Sequence, residues 1–197
     1  MESIEHLFQN LGASYTLSKI AGYAVPVLIG LIIWLIVKRF LVLRIFKVLS
    51  FIVLVPGVFG LVFMMNPIYE GDFSNNAHVI VPQGELKAAA PKLFVITIPG
   101  CKFCMGSILR MKDLKKSHPE IDIQYLVCSK DKSSVAVYQD MAGDAFPVDL
   151  AKDPEAMAKV AGGAFPTFVL NSAGNLQVWS NDSFGVGAMD EVVSAFQ

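Results

Sequence analysis

The chain has 197 residues and a formal net charge of −1, and it is 54% hydrophobic but only 17% charged. A near-neutral balance lacks the basic footprint of a nucleic-acid binder, and the length allows one full domain with a smaller attachment. The apolar excess is concentrated between Ile20 and Met65, and the remainder reads as an ordinary soluble domain.

Residues 1–19 place Ile4, Leu7, Phe8 and Leu11 at the spacing of one helical face, opposite Glu2, Glu5, His6, Gln9 and Asn10. Such an amphipathic segment suits a membrane surface or a docking partner. Residues 20–65 hold two uncharged runs, 21–37 and 48–65, each near the roughly 20 apolar residues of a spanning helix. A domain this small has nowhere to bury both, so a two-helix transmembrane hairpin in a lipid bilayer is expected. No basic start or small-residue cleavage site suggests a signal peptide.

Lys38, Arg39, Arg44 and Lys47 crowd between the runs. Glu2 and Glu5 accompany Lys19 before them, and Glu70 and Asp72 follow them. Short basic loops stay in the cytoplasm. Both termini are therefore expected outside, in the periplasm if the membrane is a bacterial inner membrane.

Residues 66–76 are rich in turn formers and read as a tether. Strands and helices alternate over residues 77–197. Val79–Val81 is a short strand, and Gly84–Ala90 a helical turn or two stopped by Pro91. Leu93–Ile98 has the continuous apolar character of a central strand covered on both faces. Cys101–Lys116 reads as a helix with Met105, Ile108, Leu109, Met111 and Leu114 on its apolar side. A strand at Ile121–Cys128 and a helix at Ser133–Ala142 follow. Asp153 caps a helix with Pro154 at its first position, ended by Gly162 and Gly163. Thr167–Leu170 and Leu176–Trp179 pair across the turn Asn171–Asn175, and a last helix covers Gly187–Phe196. The alternation predicts an α/β fold with a central mixed sheet flanked by helices.

The chemistry is carried by Cys101-Lys102-Phe103-Cys104, at a junction from buried strand to helix. Unpaired N–H groups and the helix dipole favour a thiolate at Cys101, and Lys102 adds a nearby positive charge. Cys104, one turn on and pointing inward, is placed to close the pair and release a substrate.

On these residues the chain resembles the thioredoxin superfamily over about Ala77 to Gln197. The resemblance rests on the strand and Cys-x-x-Cys helix, the helix between two later strands, and Phe165-Pro166-Thr167 before the terminal hairpin. The segment Ser133–Ala161, with Phe146-Pro147-Val148-Asp149, is similar to the extracytoplasmic, membrane-tethered branch, whose members are often thiol reductants, including in cytochrome c maturation. This implies a thioredoxin-like fold with a cis peptide bond before Pro166, and a substrate loop of Phe165, Pro166 and Thr167 facing the cysteines. It further implies a thiol–disulfide oxidoreductase that needs no cofactor and exchanges disulfides with extracytoplasmic client proteins. Two departures stand out. Pro99-Gly100 precedes the first cysteine where members place an aromatic, and Val95 stands where many bury an acid. Glu85 or a water would then serve as base for Cys104.

The spans hold no cysteine, so a further redox partner must supply or remove electrons. Cys128 is either a third thiol beside the pair or a small buried hydrophobe. A zinc site with His118 is excluded by reach, because a helix of about 16 residues spans about 24 Å; no metal is expected. His6 and His78 read as surface residues, and Trp179 and Phe184 as packing. The competing function is a redox-inert docking subunit of a membrane assembly, with the cysteines as a structural disulfide.

Overall fold

A computed structural model of the chain describes residues 2–65, 73–81, 84–172 and 174–197. The chain divides into two units, Met1–Glu70 and Gly71–Gln197.

The first unit consists of three helices, α1 (Glu2–Asn10), α2 (Tyr15–Val37) and α3 (Arg44–Met65). Gly12, at φ 84°, turns the chain out of α1, and the Ser14 side chain caps α2 by accepting the Leu17 N–H at 3.2 Å. Both long helices start earlier than the uncharged runs do. Arg44 and Lys47 lie in the first turn of α3 instead of the connector, since long basic side chains can join a helix while reaching for water. At 23 and 22 residues, α2 and α3 are long and apolar enough to cross a membrane.

Helix α2 buries Ser18, Gly22, Pro26 and Gly30, one small or compact residue per turn. A Cβ on Gly30 would lie 3.1 Å from the Val55 Cα, so glycine lets the backbones of α2 and α3 meet. Trp34 ties the hairpin near its basic connector, donating from Nε1 to the Lys47 carbonyl at 3.0 Å beneath the Lys38 ammonium. Leu7 of α1 and Leu11 just after it are exposed, while Lys19 of α2 pairs with Glu5 at 3.7 Å. The side chains of Glu2, His6 and Asn10, tether residues 66–72 and turn residue Ala173 lie outside the described residues.

The second unit is built on a six-stranded sheet, ordered β1-β6-β5-β2-β3-β4. Its strands are β1 (His78–Ile80), β2 (Lys92–Thr97), β3 (Ile123–Val127), β4 (Val148–Leu150), β5 (Thr167–Ser172) and β6 (Asn175–Ser180). β2, β3 and β4 run parallel, and the remaining pairs are antiparallel. Helices α4 (Lys102–Ser117), α5 (Ser133–Ala142), α6 (Pro154–Ala161) and α7 (Val186–Ala195) flank the sheet, with a 3₁₀ turn at Gly84–Leu86.

Alternation along the strands makes two cores. Phe94, Ile96, Leu126, Val169 and Val178 pack with Leu86, Met157 and Ala161 on one face. Val95, Tyr125 and Phe168 lie on the other, which α4 covers. Val95 to Ile96 and Phe168 to Val169 are fully buried, as expected of central strands.

Four details differ from the sequence reading. Leu109 is 63% exposed, because α4 buries Cys104, Ser107, Ile108, Met111 and Leu114 instead. Only Gly84–Leu86 of the segment before Pro91 is helical, as a 3₁₀ turn. The edge strand β4 goes unseen in sequence, being three residues long. Asn75, at the end of the segment read as a tether, is bonded into the domain. Its carbonyl accepts from Trp179 Nε1 at 2.8 Å, and its amide donates to Glu191 at 2.9 Å.

Candidate active site

Gly100, at φ 72°, makes the turn that carries the chain from β2 into α4; the left-handed region suits glycine. Cys101 then caps α4, its Sγ accepting the Cys104 N–H at 3.1 Å. A sulfur so placed receives an N–H dipole as well as the positive end of the helix, which favours its thiolate form. Cys101 and Cys104 are disulfide-bonded, with Cys101 half-buried and Cys104 fully buried. The Lys102 and Phe103 side chains are exposed between them.

The Phe165–Pro166 peptide is cis. Its loop meets the cysteines, since the Phe165 carbonyl oxygen lies 3.8 Å from Cys101 Sγ. Thr167 fixes the loop from behind by donating to the Ala164 carbonyl. Cys101, Cys104, Phe165, Pro166 and Thr167 thus form one cluster, with Lys102 at its exposed rim.

Beneath the pair the surroundings are apolar or neutral. Val95 is fully buried between its cross-strand neighbours Tyr125 and Phe168. Ser107 donates to the Cys104 carbonyl at 2.7 Å and also lies 2.9 Å from the Tyr125 hydroxyl. The single Ser107 proton is thereby used, so Tyr125 is the donor to Ser107. Burial pushes the Tyr125 phenol far above its ordinary range, and it stays neutral.

Glu85 is not beside Cys104. Its carboxylate accepts the Lys152 N–H at 3.1 Å, on the α6 side of the sheet. The role of base for Cys104 is therefore withdrawn from Glu85. Cys128 belongs to that same side. It follows Leu126 with the same parity and packs against the Leu86 and Met157 core, away from α4. Burial, followed by the nearby Glu85 carboxylate, pushes its thiol up to about 11. The structure does not bring Cys128 together with the pair. His118 caps the far end of α4, 3.2 Å from Glu120, while His78 is exposed. Trp179 and Phe184 are buried.

One residue that the sequence reading passed over is Arg110. Its guanidinium lies 4.9 Å from the Phe168 ring and 5.2 Å from the Phe184 ring, and donates to the Phe184 carbonyl at 3.1 Å. A single arginine on an amphipathic helix carries no signal of such a position.

No protein-family model and no curated protein matches the chain. Among solved structures, similarity is found to MTB DsbF in its mixed oxidized and reduced forms. The identity is 18%, over 65% of this chain and 97% of that one, with a TM-score of 0.47. A secreted Mycobacterium tuberculosis disulfide oxidoreductase homologous to E. coli DsbE is 15% identical, over 54% and 81% of the two chains, at 0.43. A thiol:disulfide interchange protein of the thioredoxin family from Chlorobium tepidum is 20% identical, over 55% and 81%, at 0.41. By its own mixed sheet, its Cys-x-x-Cys at the start of the helix after a central strand, and the cis-proline loop against that pair, the second unit has a thioredoxin-like fold.

Proposed function

We propose that the chain is a membrane-anchored thiol–disulfide oxidoreductase acting on extracytoplasmic client proteins. The observation that carries this reading is the placement of Cys101: it caps α4, and its sulfur lies 3.8 Å from the Phe165 carbonyl of the cis-proline loop. An extended client segment laid along that loop would bring its own sulfur to Cys101, the more accessible member of the pair.

In the reducing direction the Cys101 thiolate attacks one client sulfur, and the other leaves as a thiolate. Cys104 then attacks Cys101 Sγ, forming the Cys101–Cys104 disulfide and releasing the second client thiolate. Two electrons pass to the client, whose thiolates take two protons from the dithiol or the solvent. The reverse sequence oxidises a client dithiol. Lys102 supports the Cys101 thiolate by its charge, and Phe165, Pro166 and Thr167 present the client. A second dithiol or disulfide protein resets the pair, because the three cysteines all lie beyond the apolar helices.

Full-length protein in detergent, equilibrated with mixtures of reduced and oxidised glutathione, is expected to interconvert fully between dithiol and disulfide. A pair that stays oxidised until the potential falls below about −300 mV would be a structural disulfide, and the docking reading would take its place.

The length and hydropathy of α2 and α3, with basic residues at their connector, support two spans with the redox domain outside. In a variant lacking the native cysteines, an impermeant thiol reagent applied to intact cells is expected to label a cysteine at Val81 and miss one at Val42. The opposite pattern would put the domain in the cytoplasm.

A further inference from the structure

Where many thioredoxin-like proteins bury a carboxylate, this chain has Val95, and the ionic group against one of its cross-strand partners has the opposite sign. Val95 pairs across the sheet with Tyr125 on one side and Phe168 on the other. Arg110 lies against the second of these neighbours. Its guanidinium stacks on Phe168, and its charge is felt by the Tyr125 phenol. Phe184, stacked on Phe168 with ring centroids 3.9 Å apart, closes the other side and accepts the guanidinium hydrogen bond.

No carboxylate among the described residues forms an ion pair with Arg110. Glu191 of α7 is bonded to the amides of Asn75 and Gln177 instead. The side of the sheet under α4 therefore carries a cation held by two rings and one carbonyl. On the same side of the sheet, the groups bonded beneath the pair are neutral, from Tyr125 to Ser107 to the Cys104 carbonyl. Burial holds the guanidinium below its usual range, yet arginine stays protonated throughout the working range of a thiol.

We propose that Arg110 is a positioning residue that biases the Cys101–Cys104 pair toward its dithiol state, which favours the oxidation of client dithiols over their formation. This rests on the exchanger reading above and adds to it a residue that tunes the potential of the pair. The disulfide is neutral, whereas the reduced pair carries at least one thiolate once Cys101 ionises. A fixed positive charge stabilises only the second state.

In the step so favoured, a client thiolate attacks Cys101 Sγ and Cys104 leaves as a thiolate. A second client thiolate then attacks the first client sulfur, and Cys101 leaves. The client gains a disulfide, its two protons pass to the solvent or the pair, and two electrons reside on the dithiol. A second disulfide, of a protein or of glutathione, must take those electrons to restore the oxidised form.

Nine residues of α4 separate the Cys101 cap from Arg110, a rise of about 13.5 Å at about 1.5 Å per residue. At that range and an effective dielectric of about 20, one charge changes the equilibrium by roughly tenfold.

The test equilibrates full-length wild type, Arg110→Met and Arg110→Lys with glutathione buffers at pH 8. Arg110→Met is expected to shift the equilibrium about tenfold toward the disulfide, which is about 30 mV for a two-electron couple. Arg110→Lys, which keeps the charge, is expected to stay within about threefold of wild type. A merely structural role would affect both redox states alike and leave the equilibrium in place. Arg110→Met within twofold of wild type, or Arg110→Lys shifting as far as Arg110→Met, overturns the proposal.

Methionine keeps an unbranched apolar stem against the two rings and loses one hydrogen bond to the Phe184 carbonyl, so Arg110→Met is expected to fold. Arg110→Gln, which keeps a donor for the Phe184 carbonyl, carries the same expectation should the Met variant not fold. Failure of both uncharged variants to fold would make the guanidinium a structural element and also overturn the proposal. A wild-type pair that does not equilibrate defeats the exchanger reading itself. A wild type that equilibrates beside an unresponsive Arg110→Met defeats only the role of Arg110.

Discussion

Cys104→Ser is expected to turn the protein into a covalent trap, with adduct rising from background to the main form recovered after acid quenching. Cys104 is fully buried one turn inside α4, and Cys101 is the half-buried sulfur at the cap. Removing the inner thiol leaves the outer one with its N-terminal dipole, the neighbouring Lys102 and the adjacent Phe165 carbonyl. Attack on a client disulfide then stops at the mixed disulfide, because nothing remains to displace the client. Cys128 cannot substitute, since it lies on the α6 side of the sheet. Adding Cys101→Ser to that variant should abolish the adducts, and a reducing agent should dissolve them. Non-reducing electrophoresis of cells quenched in acid, followed by identification of the bound proteins, reads the outcome directly. An adduct yield at background in a folded Cys104→Ser protein would favour the docking role.

The second large effect concerns Cys128, the one free thiol of the oxidised protein among the described residues. Burial, then the Glu85 carboxylate, raises it from 9.0 to about 11. Two units remove roughly 99% of the thiolate present at pH 8, and only the thiolate is alkylated. Iodoacetamide should therefore modify Cys128 about 100-fold more slowly in the folded protein than in denaturant. Glu85→Gln should recover a minor part of that factor, since burial is the larger cause. The sign for stability follows from the raised value. The unfolded thiol ionises near 9 and the folded one near 11, so this contribution is complete below pH 9 and is lost as the pH rises through 11. Cys128→Ser should leave exchange within about twofold of wild type. Alkylation at the denatured rate would overturn the buried placement of the thiol, and loss of exchange in a folded Cys128→Ser protein would show that it reaches the active pair.

Much of this architecture is legible because local rules act on contiguous residues. The Leu93–Ile98 run announces a doubly covered strand, Asp153-Pro154 announces a capped helix start, and the Cys-x-x-Cys spacing puts two sulfurs one turn apart. Asp153 does accept the Ala156 N–H at 3.0 Å, and Cys101 caps its helix as the spacing requires. Leu109 shows where such rules end. Apolar character assigns it to the core, but which arc of α4 is buried depends on the sheet beneath, and that sheet selects Cys104 and Ser107.

What the sequence by itself determined was the kind of each long element, two apolar helices before an α/β domain, and the pair of sulfurs at a strand-to-helix junction. These follow from periodicity, capping and composition, which need only neighbours in the chain. Tertiary structure alone decided that Cys128 faces away from the pair, that Glu85 serves the opposite core, and that Asn75 joins Trp179 and Glu191. It alone set Arg110 against the rings of Phe168 and Phe184. Each of these depends on strand register and on which face of the sheet a crossover helix covers. A shift of one residue along β3 would reverse the side on which Cys128 lies, and no local signal records that choice.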